Sequence, residues 1–279
     1  MRAWLFAIVF AAIAAAPAKA TEPWMTLPQA PGLPKADQSG YAPINGIRIW
    51  YATFGKGEPV LFVHGGLANA DWWGNQVRAL KGKYRVIVMD SRGHGRTTRN
   101  AQGYSYDLMA SDVLGLMDYL HLKKVALIGW SDGAIVGLDI AMKHPERLTK
   151  LFAFAANYDP AGVADASKSP IATEFIRRSG IDYARLSPTP KDYAQFSDAI
   201  QKMWAREPHW TKSDLSKIAV PTWIVDSDHD EMITHDQPRT MADWVPNAGL
   251  LILPDASHFG FVQQPREFNS AIEEFLKSR

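Results

Sequence analysis

After its first forty residues the chain alternates between two hydrophobic periods. "YAPINGIRIWYATFG" sets extended runs on either side of Asn45-Gly46, a dipeptide suited to a two-residue hairpin turn because both positions need positive φ. "VLFVHGG", Val60 to Gly66, is a continuous apolar run that ends in glycines. Asp71 to Leu80 has helical spacing and Arg85 to Met89 reads as a buried strand. Tyr106 to Leu120 is a helix with Met109, Val113, Leu116, Met117 and Leu120 on one face. "KVALIGW" is again a strand, Asp132 to His144 a helix stopped by Pro145, and "LTKLFAFAAN" a further strand. Strands apolar throughout, each followed by a helix, predict the α/β class: a mostly parallel sheet with helices on both faces.

From Asn157 to Asp214 that alternation breaks down. Ser169-Pro170 and Thr189-Pro190 read as caps followed by first helical turns, Gly180 as a helix stop, and Tyr193, Phe196, Ile200, Met203 and Trp204 as a helical stripe. Alternation resumes with "PTWIVDSDHD", a helix around Gln237 to Trp244, "GLLILPDASH", and a last helix from Pro265 to Lys277. The expected organisation is a lead over 21–40, an α/β core over 41–156 and 215–279, and a helical cap inserted at 157–214.

The first twenty residues stand apart. Arg2, an apolar stretch from Ala3 to Ala16, and Ala18-Lys19-Ala20 have the form of a secretory signal cleaved after Ala20, which predicts a periplasmic or secreted protein. The apolar stretch is 14 residues long, short of the roughly 20 that a spanning helix needs, so no membrane association is expected after cleavage. The mature chain then carries 28 basic and 29 acidic residues, a balance that points to neither nucleic acid nor anionic lipid as a partner. With no cysteine, disulfides, a thiol nucleophile and thiolate metal ligands are excluded.

Within this frame "GWSDG" gives Ser131 a strand-turn-helix setting. A serine hydroxyl needs a base to take its proton, a group to orient that base, and donors for the developing oxyanion. The flanking glycines permit a cramped turn, and the helix that follows favours negative charge at its N-terminus. Catalytic groups of such sheets lie at the carboxyl ends of strands. His258 follows one of the last strands and is the expected base; Asp230, just beyond "IVDS", is the expected acid, with Asp228 as its alternative. The D-x-D-x-D run also resembles the start of a calcium loop, but Glu231 stands where glycine is needed, Gln237 where glutamate is needed, and a strand precedes it, so no metal is expected. The "HGG" turn assigns the oxyanion donors to the backbone N–H groups of Gly66 and Asp132, with Leu67 as a substitute for Gly66. His64 is read as packing and bonding that loop. Trp72, Trp73, Trp130 and Trp204 are candidates for an apolar acyl pocket, against ordinary packing.

From Tyr41 to Lys277 the chain resembles the α/β-hydrolase-fold serine hydrolases, carried by "HGG", "DSRGHGRT", "GWSDG", "SDHDE" and "PDASHFGFVQQPREF" in that order. The resemblance implies a cofactor-free, carboxylesterase-like enzyme acting on a small-molecule ester through Ser131, Asp230 and His258. In related families an aspartate at the position of Ser131 marks dehalogenases and epoxide hydrolases, so serine argues against both. In "DSRGHGRT", Asp90 and Arg92 are expected to brace a loop. "GWSDG" is also similar to the elbow of biphenyl-hydrolase-like enzymes that cleave α-amino acid esters, in which the acid matching Asp132 recognises the ammonium; alternatively that carboxylate simply faces the helix N-terminus. A lactonase, an amidase or aminopeptidase, a C–C hydrolase on the same triad, and a catalytically silent ligand-binding protein remain the alternative functions. Oligomeric state is left open.

Overall fold

The computed structural model describes residues 22–278, so the expected signal at 1–20 lies outside the described residues. Eight strands form one sheet in the order β1-β2-β4-β3-β5-β6-β7-β8. β1 (Gln38–Ile44) and β2 (Ile47–Phe54) make the antiparallel hairpin, turning at Asn45 (φ 47°) and Gly46 (φ 73°). β2 runs antiparallel to β4 (Arg85–Met89). β3 (Pro59–Val63), β5 (Val125–Trp130), β6 (Leu148–Phe154), β7 (Thr222–Ser227) and β8 (Gly249–Leu253) continue in parallel.

The continuous apolar runs conceal a period of two. Leu61, Val63, Leu127, Leu151 and Ala153 face one core, shared with α2 (Tyr106–Tyr119), α3 (Asp132–Lys143) and α7 (Asp236–Trp244). Phe62, Ile128, Trp130, Phe152 and Phe154 face the other, shared with α1 (Gly74–Leu80) and α9 (Pro265–Lys277). Both faces of a parallel sheet are buried, so both sets of side chains must be apolar. Because β3 leads to β4 on one side and β5 lies on its other side, the strand order reverses beside β3, and a crevice opens there outside the carboxyl ends.

Segment 157–214 carries α4 (Pro170–Leu186), α5 (Tyr193–Trp204) and most of α6 (Lys212–Leu215), and none of the sheet strands. Two expectations in it are corrected. Gly180 does not stop a helix: α4 continues to Leu186, and a Cβ at Gly180 would come within 3.2 Å of the Tyr193 ring, so the glycine admits α5. Thr189-Pro190 does not open α5 either. Thr189 Oγ1 is engaged by Tyr183 Oη, and the helix begins after Asp192. Ser169 does cap α4, its hydroxyl accepting from Ala172 N–H. A short α8 (Gly260–Gln263) precedes α9. The lead is tied to the body, with Arg178 donating to the carbonyls of Leu27 and Pro28. Among the described residues no helix is long and apolar enough to cross a membrane.

Candidate active site

Ser131 sits between β5 and α3 at φ 52° and ψ −119°, a left-handed conformation costly for a non-glycine residue. The turn is held from three sides. Ser131 N–H donates to Phe154 O at 2.8 Å, tying the elbow to β6. A Cβ at Gly129 would lie 2.4 Å from Gly133 O, and one at Gly133 would lie 2.0 Å from Val63 O. Both glycines of G-x-S-x-G are therefore required by backbone crossing backbone.

His258 and Asp230 are buried together beyond β8 and β7, with His258 Nδ1 and Asp230 Oδ2 2.8 Å apart. Asp230 accepts the Nδ1 proton, which leaves Nε2 as the basic nitrogen. Asp230 Oδ1 accepts from the N–H groups of Met232 (2.7 Å) and Ile233 (2.8 Å). Burial disfavours its charge, but His258 and these donors outweigh burial and hold the carboxyl below its ordinary range. Burial likewise disfavours imidazolium, yet Asp230, Glu231 and Asp132 raise the His258 pKa above its usual value. Asp228, the alternative acid, is turned away, part-exposed, and accepts from Ala256 N–H at 3.2 Å.

Ser131 and His258 line one cavity of about 420 Å3, within the ~300–1,000 Å3 range of small-molecule sites. Gly66, Leu67 and Asp132 line it too. Gly66 N–H has no protein acceptor among the described residues, and Asp132 N–H is one of the unpaired donors at the start of α3. Two backbone donors beside a serine, at a helix N-terminus, are suited to a developing oxyanion. His64 stays out of the chemistry: its Nδ1 bonds Gly65 O at 2.7 Å and its Nε2 accepts from Ser91 N–H at 2.9 Å.

The Asp132 side chain does more than face its helix. It is buried, with Oδ1 accepting from Tyr106 Oη at 2.9 Å and both oxygens accepting from Trp204 Nε1, at 2.8 and 3.0 Å. Burial pushes its pKa up to about 6 against the pull of Trp204 and Tyr106. A Cβ on Gly66 would lie 2.4 Å from the Trp204 ring and 2.6 Å from Asp132 Oδ2, so the glycine lets α5 close on the loop after β3.

The tryptophan expectations divide. Trp130 and Trp204 line the cavity, and Trp130 Nε1 donates to His258 O at 3.0 Å, tying the His258 backbone to β5. Trp72 and Trp73 do not line it, a correction with a packing cause. They sit in an aromatic cluster, Trp73 against Phe62 and Phe261 and Trp72 against Phe175 and Trp130, beneath the cavity. Asp90 and Arg92 brace as expected. Asp90 accepts from the N–H groups of Ala70 and Arg96, and Arg92 forms a buried bidentate pair with Asp112. Tyr106 and Glu207, which joins the cavity wall and accepts from Tyr106 N–H, carry no sequence signal, since one is an ordinary first residue of a helix and the other an ordinary loop residue after α5.

Comparison with known proteins bears on the family and the fold. The chain is 27% identical over 260 residues to 3-oxoadipate enol-lactonase 2 of Acinetobacter baylyi, covering 83% of this chain and 94% of that one. It is 28% identical over 255 residues to Serine hydrolase BPHL of Homo sapiens, covering 84% of each. The solved enol-lactonase from Burkholderia xenovorans LB400 superposes with a TM-score of 0.69 at 23% identity, over 86% of this chain and 100% of that one, a likeness of fold. The model of the alpha/beta hydrolase family matches residues 60–271, from β3 into α9, and the chain belongs to that family.

Proposed function

We propose that this protein is a serine hydrolase that cleaves a carboxylic ester, open-chain or lactone, through an acyl-enzyme on Ser131. The observation that carries this reading is the buried Asp230–His258 pair, 2.8 Å between Oδ2 and Nδ1, sharing a cavity with a serine on a strained elbow. His258 Nε2 takes the hydroxyl proton as Ser131 attacks the carbonyl. The N–H groups of Gly66 and Asp132 donate to the oxyanion, with Leu67 as the substitute for Gly66. Imidazolium then protonates the leaving alcohol, and a water deprotonated by His258 releases the acid by the same route.

The cavity wall supports a substrate without negative charge. Val163, Phe175, Ile176, Met232 and Ile233 make one side apolar. Asp132 and Glu207 stand on another side, and no Lys or Arg belongs to the described lining. A 3-oxoadipate lactone carries a free carboxylate, which would find no counter-charge here and would be repelled. The same two carboxylates favour a second reading, an α-amino acid ester with its ammonium beside Asp132.

One panel tests all of this: p-nitrophenyl butyrate, an amino acid p-nitrophenyl ester, and the p-nitrophenyl half-ester of glutaric acid. Ser131→Ala should lose about 10⁴-fold or more in kcat on every ester cleaved and should lose fluorophosphonate labelling. Turnover retained by Ser131→Ala would end the nucleophile assignment. The half-ester should be the poorest substrate by about tenfold, and an equal or better rate for it would reject the charge argument.

A further inference from the structure

Behind the triad lies a carboxyl group that the mechanism above does not use. Asp226, the penultimate residue of β7, is fully buried and accepts from Ser227 N–H through Oδ1 at 2.8 Å. Its Oδ2 is buried and no donor among the described residues reaches it. The neighbour it reaches, side chain to side chain, is Asp230. A carboxylate offers about four lone-pair sites. On Asp230 three are taken, by His258 Nδ1 and the N–H groups of Met232 and Ile233. The remaining site faces an oxygen that can satisfy it only by carrying a proton.

We propose that Asp226 is held as a neutral carboxylic acid whose O–H donates to Asp230, making it a positioning residue for the Asp230–His258 pair. Two ionised carboxylates in a buried site repel too strongly to coexist, so one keeps its proton. Asp230 has a histidine and two backbone N–H groups to stabilise its charge, whereas Asp226 has one. The proton therefore resides on Asp226. Burial and Asp230 both raise the affinity of Asp226 for it, and Arg239 on α7, the cation that acts on Asp226, does not reverse the outcome. The bond completes the shell of Asp230, fixes the plane of its carboxylate toward Nδ1, and draws charge away from the histidine. The bond thereby opposes the rise in His258 proton affinity to which Asp230, Glu231 and Asp132 all contribute.

This inference rests on the triad reading for its purpose, but its test needs no substrate. The His258 ring is titrated by NMR in the full chain, in wild type, Asp226→Asn and Asp226→Ala. Asparagine keeps a neutral donor at the same place, so the His258 midpoint should stay within about 0.3 units. Alanine removes the donor, so Asp230 presents more charge and the midpoint should rise by about half a unit or more. If Asp226 is ionised in the native protein, Asp226→Asn deletes a negative charge and the midpoint falls by about a unit, which overturns the proposal. Midpoints unmoved in both variants would overturn it too, leaving Asp226 a space-filling residue. Should Asp226→Ala fail to fold, an infrared difference spectrum between wild type and Asp226→Asn at neutral pH decides: it must contain the carbonyl stretch of a protonated carboxyl, and its absence rejects the neutral acid. Absence of ester cleavage, by contrast, would count against the proposed function and leave this titration readable.

Discussion

Asp132 serves the site twice, through its peptide N–H at the start of α3 and through a carboxylate that holds Trp204 of α5 over Gly66. The second role has a stability cost with a definite pH dependence. Its folded pKa, about 6, lies above the ordinary 3.8, so between those values the folded state binds the extra proton. Stability from this group is thus present below the lower value and is lost as pH rises toward 6, costing roughly 3 kcal/mol once the carboxylate is ionised. Asp132→Asn removes the buried charge while its amide still accepts from Trp204. Urea unfolding across pH 4 to 8 should find the variant gaining on wild type between about 4 and 6 and level above that. A difference independent of pH would show that burial of charge is not what Asp132 contributes. The residue is identifiable in the sequence as the one after Ser131, but its partners are not: Tyr106 and Trp204 lie 26 and 72 residues away.

At the scale of elements, the loop after β4, which Asp90 also holds, leans on one buried ion pair. Arg92 donates through Nε and Nη2 to the two oxygens of Asp112 on α2, and both side chains are excluded from solvent. Arg92→Met keeps the bulk but leaves a buried carboxylate without its partner, a loss of about 3–5 kcal/mol, or on the order of 10 °C in Tm. Adding Asp112→Leu should restore most of it, because two apolar groups bury without that penalty. A single variant that melts within about 2 °C of wild type would remove the brace from the account. Elements with a strong period were legible almost to the residue, such as β4 at Arg85–Met89 and α2 from Tyr106. The helices over the site were less so. Gly180 has the chemistry of a stop, yet contact with Tyr193 on another helix gives it a place inside α4.

For the whole molecule, the signal reading makes a prediction at the level of the mature chain. Intact mass of the protein from an expressing bacterium should begin at Thr21 and be found in the periplasm or medium; full-length protein retained in the cytoplasm would refute export. The site itself is a product of topology. Gly66 follows β3, Ser131 follows the adjacent β5, and Asp230 and His258 follow β7 and β8, so residues up to 192 positions apart meet along one edge of a parallel sheet. The order of strands and helices, the cramped turn around Ser131, and a histidine and an acid just beyond later strands were legible in the sequence. Those properties depend on period and turn chemistry within a few residues. That Trp72 and Trp73 belong to the core, that Asp230 rather than Asp228 faces His258, and that Tyr106, Trp204 and Glu207 line one cavity with Ser131 and His258 are outcomes of tertiary packing. Those outcomes depend on which distant side chains compete for one enclosed volume, and packing, not local pattern, resolves that competition.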